Sequence, residues 1–175
     1  MAAAAEVLRT KGVAACTARA IAEASPLTKS ALHYYFEDTD EIVDLAFRRL
    51  MEQYLARIEK AAADADGPVA ALWAATDAYL RFGADRPSGR VPMLWFEYRV
   101  ASARRGDSRT ANELSDRAEA VFVRLVEATG APDAAARGAT LFAALGGSLA
   151  RDQLRDEADR RALLDRLAVG LDLPR

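Results

Sequence analysis

The feature that most constrains this chain is a proline set between two short, capped, amphipathic stretches. Thr17 precedes a run through Ile21 and Ala22, and its hydroxyl is placed to accept from the first free amides of a helix. Pro26 ends that run, because proline lacks an amide and its ring clashes with the preceding turn. Thr28 repeats the capping signal ahead of Lys29-Ser30-Ala31-Leu32-His33-Tyr34-Tyr35-Phe36, in which Leu32 and Phe36 stand four apart and bury one face. Two short helices with a tight break between them make a helix-turn-helix. The opposite face of the second helix carries Lys29, Ser30, His33 and Tyr34. Its donors, cation and aromatic hydroxyl suit phosphates and base edges in a major groove, and a solvated helix face is the plainer reading of the same residues. Tyr35 either reaches a phosphate or packs beside Phe36.

Taken together, Gly12, Thr17, Ile21-Ala22-Glu23-Ala24, Leu27-Thr28-Lys29 and Leu32-His33-Tyr34-Tyr35-Phe36 resemble the tetracycline-repressor (TetR) family of bacterial transcriptional regulators. The similarity runs from Ala2 to Leu50. It implies an all-α fold with an N-terminal three-helix helix-turn-helix DNA-binding domain, residues 1–39, and a larger C-terminal helical ligand-binding and dimerisation domain, residues 40–175. It places Thr17, Thr28, Lys29, Ser30, Ala31, His33, Tyr34, Tyr35 and Thr39 at DNA. Four departures from the family pattern stand out. Met1 falls inside the expected first helix, so either the N-terminus is truncated or this member works without the family's basic arm. Pro26 occupies a turn position where glycine is common, and it cannot take the positive φ that glycine allows. Ala31 replaces a frequent threonine and keeps only a methyl for a thymine methyl. Thr39 stands where the family commonly has a phosphate-contacting lysine.

Charge bears on the same reading. The net charge of −2 argues against nucleic acid if taken alone. Residues 1–36, however, hold Arg9, Lys11, Arg19 and Lys29 against Glu6 and Glu23, a surplus of two. Glu37, Asp38, Asp40, Glu41 and Asp44 follow at once, so non-specific affinity should be modest and lost with salt. Cys16 is the only cysteine, which excludes an intrachain disulfide and reads as a small packed residue. Cys16 and His33 are too few for a zinc site, and no metal or cofactor is expected. The chain carries no Ser/His/Asp arrangement and no phosphate-cradling glycine loop, so no catalytic residues are expected. No apolar run reaches the length of a membrane span, and Glu6 interrupts the alanine-rich start; the expected location is the cytoplasm, with no membrane partner.

Along the chain, a first helix is expected over Ala2 to Thr10, stopped at Gly12. Asp38 with Glu41 has capping-box spacing and starts a long helix reaching Ala65. Pro68 opens the next helix, carrying Val69, Leu72, Trp73, Thr76 and Leu80 to Gly83, and Asp85 to Gly89 reads as a loop. From Val91 to Val100 apolar residues lie on nearly every side, which predicts a helix buried deep in the body. Thr110 with Glu113 suggests another capping box before Leu114, Ala118, Val121, Phe122 and Leu125, closed by Gly130. Two last helices carry Gly138, Ala139, Phe142, Leu145, Gly146 and Leu149, then Leu163, Leu164, Leu167 and Leu171.

The rings of Trp73, Tyr79, Phe82, Trp95, Phe96, Tyr98 and Phe122 are explained by core packing or by the lining of an apolar pocket. The resemblance implies such a pocket, for a small apolar or aromatic effector, with Trp73, Phe82, Met93, Trp95, Tyr98 and Phe122 as candidate ligands of it. It also implies a homodimer joined by the last two helices through Phe142, Leu145, Gly146, Leu149, Leu163, Leu167 and Leu171. The residues alone do not separate that seam from an intramolecular core. The function implied is a repressor that holds near-palindromic operator DNA and is released by its effector. The rival is a helical small-molecule-binding or scaffold protein with weak or lost DNA binding, and an enzyme acting in the aromatic pocket is a third, weaker reading.

Overall fold

The computed structural model describes residues 2–26, 28–81, 91–150 and 156–175, without the side chains of residues 29, 33 and 91–93. Its regular structure is helical, as the spacing of apolar residues at threes and fours predicts. The helices are α1 (Ala2–Lys11), α2 (Ala18–Glu23), α3 (Lys29–Tyr35), α4 (Thr39–Ala63), α5 (Pro68–Arg81), α6 (Val91–Arg105), α7 (Arg109–Ala128), α8 (Ala134–Ala150) and α9 (Glu157–Gly170). Two compact units result, one of Met1–Gln53 with Arg90–Leu114 and one of Tyr54–Gly89 with Ser115–Arg175. These units are defined by contacts, and two of their three borders fall inside helices, in α4 and α7.

In the first unit α1 buries Ala4, Val7 and Leu8 and stops at Gly12, whose φ of 83° only glycine adopts cheaply. The start of α4 is held as its spacing predicts: Asp38 accepts from the Glu41 amide at 2.8 Å, and the Glu41 carboxylate accepts from the Glu37 amide at 2.8 Å. From that start Ile42, Val43, Ala46 and Phe47 go inward. The ring of Phe47 lies 3.7 Å from that of Tyr98 and 5.6 Å from that of Trp95, both stacked. Tyr98 donates its hydroxyl to Asp44 at 2.8 Å, and Arg105 pairs with Asp44 at 2.7 Å and with Asp40 at 3.1 Å.

Two expectations change here. The α6 helix belongs to this first unit rather than lying deep in the larger body. Its inner stripe is Leu94, Tyr98 and Ser102, while Glu97, Arg99 and Val100 are exposed. Apolar residues on consecutive positions look all-round in a sequence, yet among the described side chains of α6 only those of this stripe are fully buried. Thr110 and Glu113 do not form a capping box either. Both turn to Arg48, at 3.4 Å and 2.7 Å, and Asp107 instead receives the Arg109 amide ahead of α7 at 3.1 Å.

The second unit is built on α5, which packs against α8 and α9. Tyr54 donates to the Tyr79 carbonyl at 2.6 Å, and Tyr79, Phe122 and Phe142 meet at centroid distances of 5.6 to 6.1 Å. The C-terminal end is tied back: the Trp73 indole donates to the Pro174 carbonyl at 2.6 Å, the Arg175 guanidinium lies 4.8 Å over its ring, and Arg137 donates to the Leu171 carbonyl at 2.9 Å. Arg160, nearly buried, is neutralised by Asp77 at 2.8 Å.

Candidate nucleic-acid interface

Both predicted caps are made. The Thr17 hydroxyl accepts from Ala20 N at 3.2 Å, and the Thr28 hydroxyl from Ala31 N at 3.2 Å, each from an extended backbone. Between them Ala24 closes α2 at φ −91°, so the turn before Pro26 runs without a left-handed residue at that closing position. A proline is tolerated there because the chain leaves the helix two residues earlier. The helices pack α1 on α2 and α2 on α3, with Ile21 and Leu32 buried between them. Phe36 is only half-buried and serves as the extended C-cap of α3 rather than as a full core residue.

What this packing leaves outward is the face expected to read DNA. Tyr34 is 83% exposed and Tyr35 67%, their rings edge-on at 5.1 Å, and Ser30 is exposed beside them. Two large rings held in water on a seven-residue helix gain little from folding. Tyr35 thus points outward rather than packing into the core. Lys29 and His33 belong to the same helix, and Thr39 is the first residue of α4. Of the four cations in residues 1–36, Arg9 pairs with Glu6 and Arg19 with Glu23 on the surface of their own helices. The other two cations of this stretch are Lys11 and Lys29.

The effector candidates fall in different parts of the chain. Trp95 and Tyr98 are in the first unit, Trp73 and Phe122 in the second, and Phe82 lies outside the described residues, as do Gly83, Asp85 to Gly89 and the side chain of Met93. Tyr98 is fully buried under Phe47 with its hydroxyl given to Asp44, which pushes its pKa up to about 12, burial first and the carboxylate second. With both ring and hydroxyl committed, Tyr98 is a core residue. Trp95 keeps some exposure and stacks on Phe47 with Arg99 5.7 Å over its ring.

The dimer candidates also divide. Leu145, Leu163 and Leu167 are buried within the single chain, so intramolecular packing already covers them. A leucine seam serves a core or a partner equally well, and α9 packs on α5 within the chain. Phe142, Gly146, Leu149 and Leu171 keep part of their surface. Val169, not singled out by any sequence pattern, is 83% exposed on α9. One further residue was invisible in the sequence: Glu97 bonds to Val13, 84 residues away. Among the described residues no group of three or more His, Cys, Asp or Glu is placed to hold a metal ion, and no helix is long and apolar enough to cross a membrane.

A capped helix-turn-helix with two outward aromatic rings stands ahead of helices throughout the described residues, an arrangement of the kind that DNA-binding helix-turn-helix domains use. Residues 1–46 match the model of the bacterial regulatory proteins of the tetR family. Among solved structures the fold is similar to a transcriptional regulator from Rhodococcus sp. Rha1, at 24% identity over 98% of this chain and 93% of that one, with a TM-score of 0.76. It is similar at TM-score 0.76 and 19% identity, over 99% and 96% of the two chains, to a tetr-transcriptional regulator from Streptomyces avermitilis ma-4680. The ketosteroid transcriptional regulator KstR2 of Mycobacterium tuberculosis follows at 16% identity, 98% and 90% coverage and TM-score 0.62. At these identities the likeness is one of fold. Among curated proteins none matches this chain.

Proposed function

We propose that this protein is a cytoplasmic, homodimeric repressor that binds near-palindromic operator DNA through α2 and α3 and is released by a small, largely apolar effector. The observation that carries the reading is the pair of exposed tyrosines on a capped, otherwise packed α3. One α3 from each subunit enters successive major grooves, with Tyr34, Ser30, His33 and Ala31 at base edges and Thr17, Thr28, Lys29, Tyr35 and Thr39 nearer phosphates. In this reading residues 1–39 form the DNA-binding part and 40–175 the part that senses and dimerises. The partly exposed Phe142, Gly146, Leu149 and Leu171 are the residues we assign to the subunit contact, and Val169 extends that set. The effector is assigned to the second unit, beside Trp73 and Phe122. It acts by preferring the conformation that does not fit DNA, and about 1–3 kcal/mol of such preference suffices for regulation.

Titration of the purified protein onto fluorescent DNA flanking its own gene, against a scrambled duplex of equal length, tests the reading. Tight binding to the native duplex alone supports it and supplies the assay for effectors. Ligand binding without affinity for either duplex at low salt would favour the rival, a helical small-molecule-binding protein. One observation lends that rival weight: carboxylates occupy the amides at the start of α4, beside the reading helix.

A further inference from the structure

Glu97 lies in the middle of α6, and its carboxylate leaves its own helix for the loop between α1 and α2. Its Oε2 accepts from the Val13 amide at 3.0 Å. The same oxygen lies 2.6 Å from where a Cβ on residue 12 would stand, and Gly12 has a φ of +83°. A left-handed glycine that clears room for the carboxylate and an amide aimed at it are two separate features of one loop, and both converge on Glu97. Ala14 is exposed and Val13 half-buried, facing an open groove of about 480 Å³ whose far wall is Phe96, Val100 and Ala101.

The loop leads directly into the DNA-reading part. Cys16 N bonds to the Val13 carbonyl at 3.0 Å and Thr17 N to the Ala15 carbonyl at 2.9 Å, so the turn is continuous from Val13 to the residue that caps α2. From there α2 packs on α3. We propose that Glu97 is a positioning residue for DNA recognition: by holding Val13 it fixes the entry to α2, and through α2 the pose of α3. The tie runs from α6 and is separate from the covalent path through α4. The proposal rests on the DNA-binding reading above and deepens it.

The test uses the full chain with Glu97→Ala, Glu97→Gln and Gly12→Ala, alone and combined. It reads operator affinity, helix content by circular dichroism, and hydrogen exchange of the Val13 amide by NMR. Glu97→Ala should keep its helix content, speed exchange at Val13 and bind operator about tenfold more weakly, a coupling of ordinary size for two packed elements. Removing a negative charge by itself strengthens attraction to phosphate, so a loss runs against the electrostatic sign. Glu97→Gln removes the same charge but keeps a carbonyl acceptor, and should stay within about twofold of wild type if the hydrogen bond is the cause. Gly12→Ala should cost less in the Glu97→Ala background, where the carboxylate it strikes is gone. Unchanged operator affinity in Glu97→Ala with faster Val13 exchange overturns the positioning role, and strict additivity of the double variant overturns the contact. A wild-type protein that does not distinguish operator from scrambled duplex is instead a failure of the DNA-binding reading, seen before any variant is made.

Discussion

Replacing Gly138 with alanine tests how closely α8 lies on α7. A Cβ built on Gly138 meets Val123 Cα at 2.5 Å, Val123 N at 2.9 Å and Val123 Cγ2 at 3.0 Å. Ordinary contact begins at 3.4 Å, so the shortfall is 3.4 − 2.5 = 0.9 Å. Two of the three obstacles are backbone atoms, which no rotamer change removes, and α8 must withdraw by nearly that amount. Leu141 and Leu145, fully buried on the same helix, withdraw with it. A gap of that size forfeits about a quarter to a half of each dispersion contact it opens. Overpacking costs about 1–3 kcal/mol, and a rigid obstacle puts this site at the upper end. Alanine recovers about 1 kcal/mol through helix propensity, leaving a net loss of about 1–2 kcal/mol. Gly147→Ala is the control, because nothing lies within 4 Å of its built Cβ and only the propensity gain remains. Urea denaturation at equal slope should place Gly138→Ala below wild type and Gly147→Ala at or above it. Equal midpoints for the two variants would refute the close-approach argument.

Three further outcomes follow from the same contacts. Burial pushes Tyr79 and Tyr98 up to about 12 from 10.0, and Tyr54 well above it. Folded values above the unfolded one mean that this stability is whole below pH 10 and drains as pH rises towards 12, so phenolate absorbance and loss of helical dichroism should rise together; ionisation of these three rings with the helix signal intact would contradict it. Trp73→Phe keeps an aromatic ring but loses the indole bond to the Pro174 carbonyl and part of the buried volume, and should cost about 1–3 kcal/mol with faster proteolysis near the C-terminus; unchanged stability would mean that this bond does not anchor the end. Tyr34→Ala should weaken operator binding by about 1–3 kcal/mol across all salt concentrations, whereas Lys29→Ala should also reduce the salt slope by about one; unaltered affinity in both removes α3 as the reading helix.

Much of the local architecture is legible in the residues because its causes are local. Thr17, Thr28 and the Asp38–Glu41 pair act on amides within three or four positions, and Gly12 stops α1 through its own backbone. Each such signal is complete within one turn of helix, and the outward tyrosines of α3 follow from the inward Leu32. A signal that misled is one whose partner lies far along the chain. Thr110 and Glu113 have capping-box spacing, yet Arg48 takes both of them. Glu97 carries no local signal at all, since the amide it holds is 84 residues away.

Sequence by itself therefore determined the helices, their caps, the break at Pro26 and the resemblance of the N-terminal region, because propensity, capping and turn chemistry are settled by near neighbours. Tertiary structure alone decided which apolar stripes are already spent within the chain, which aromatic rings are core, and where α6 ties to the α1–α2 loop. Those depend on which surfaces meet, and an apolar or charged side chain carries no mark of the distant partner that will satisfy it.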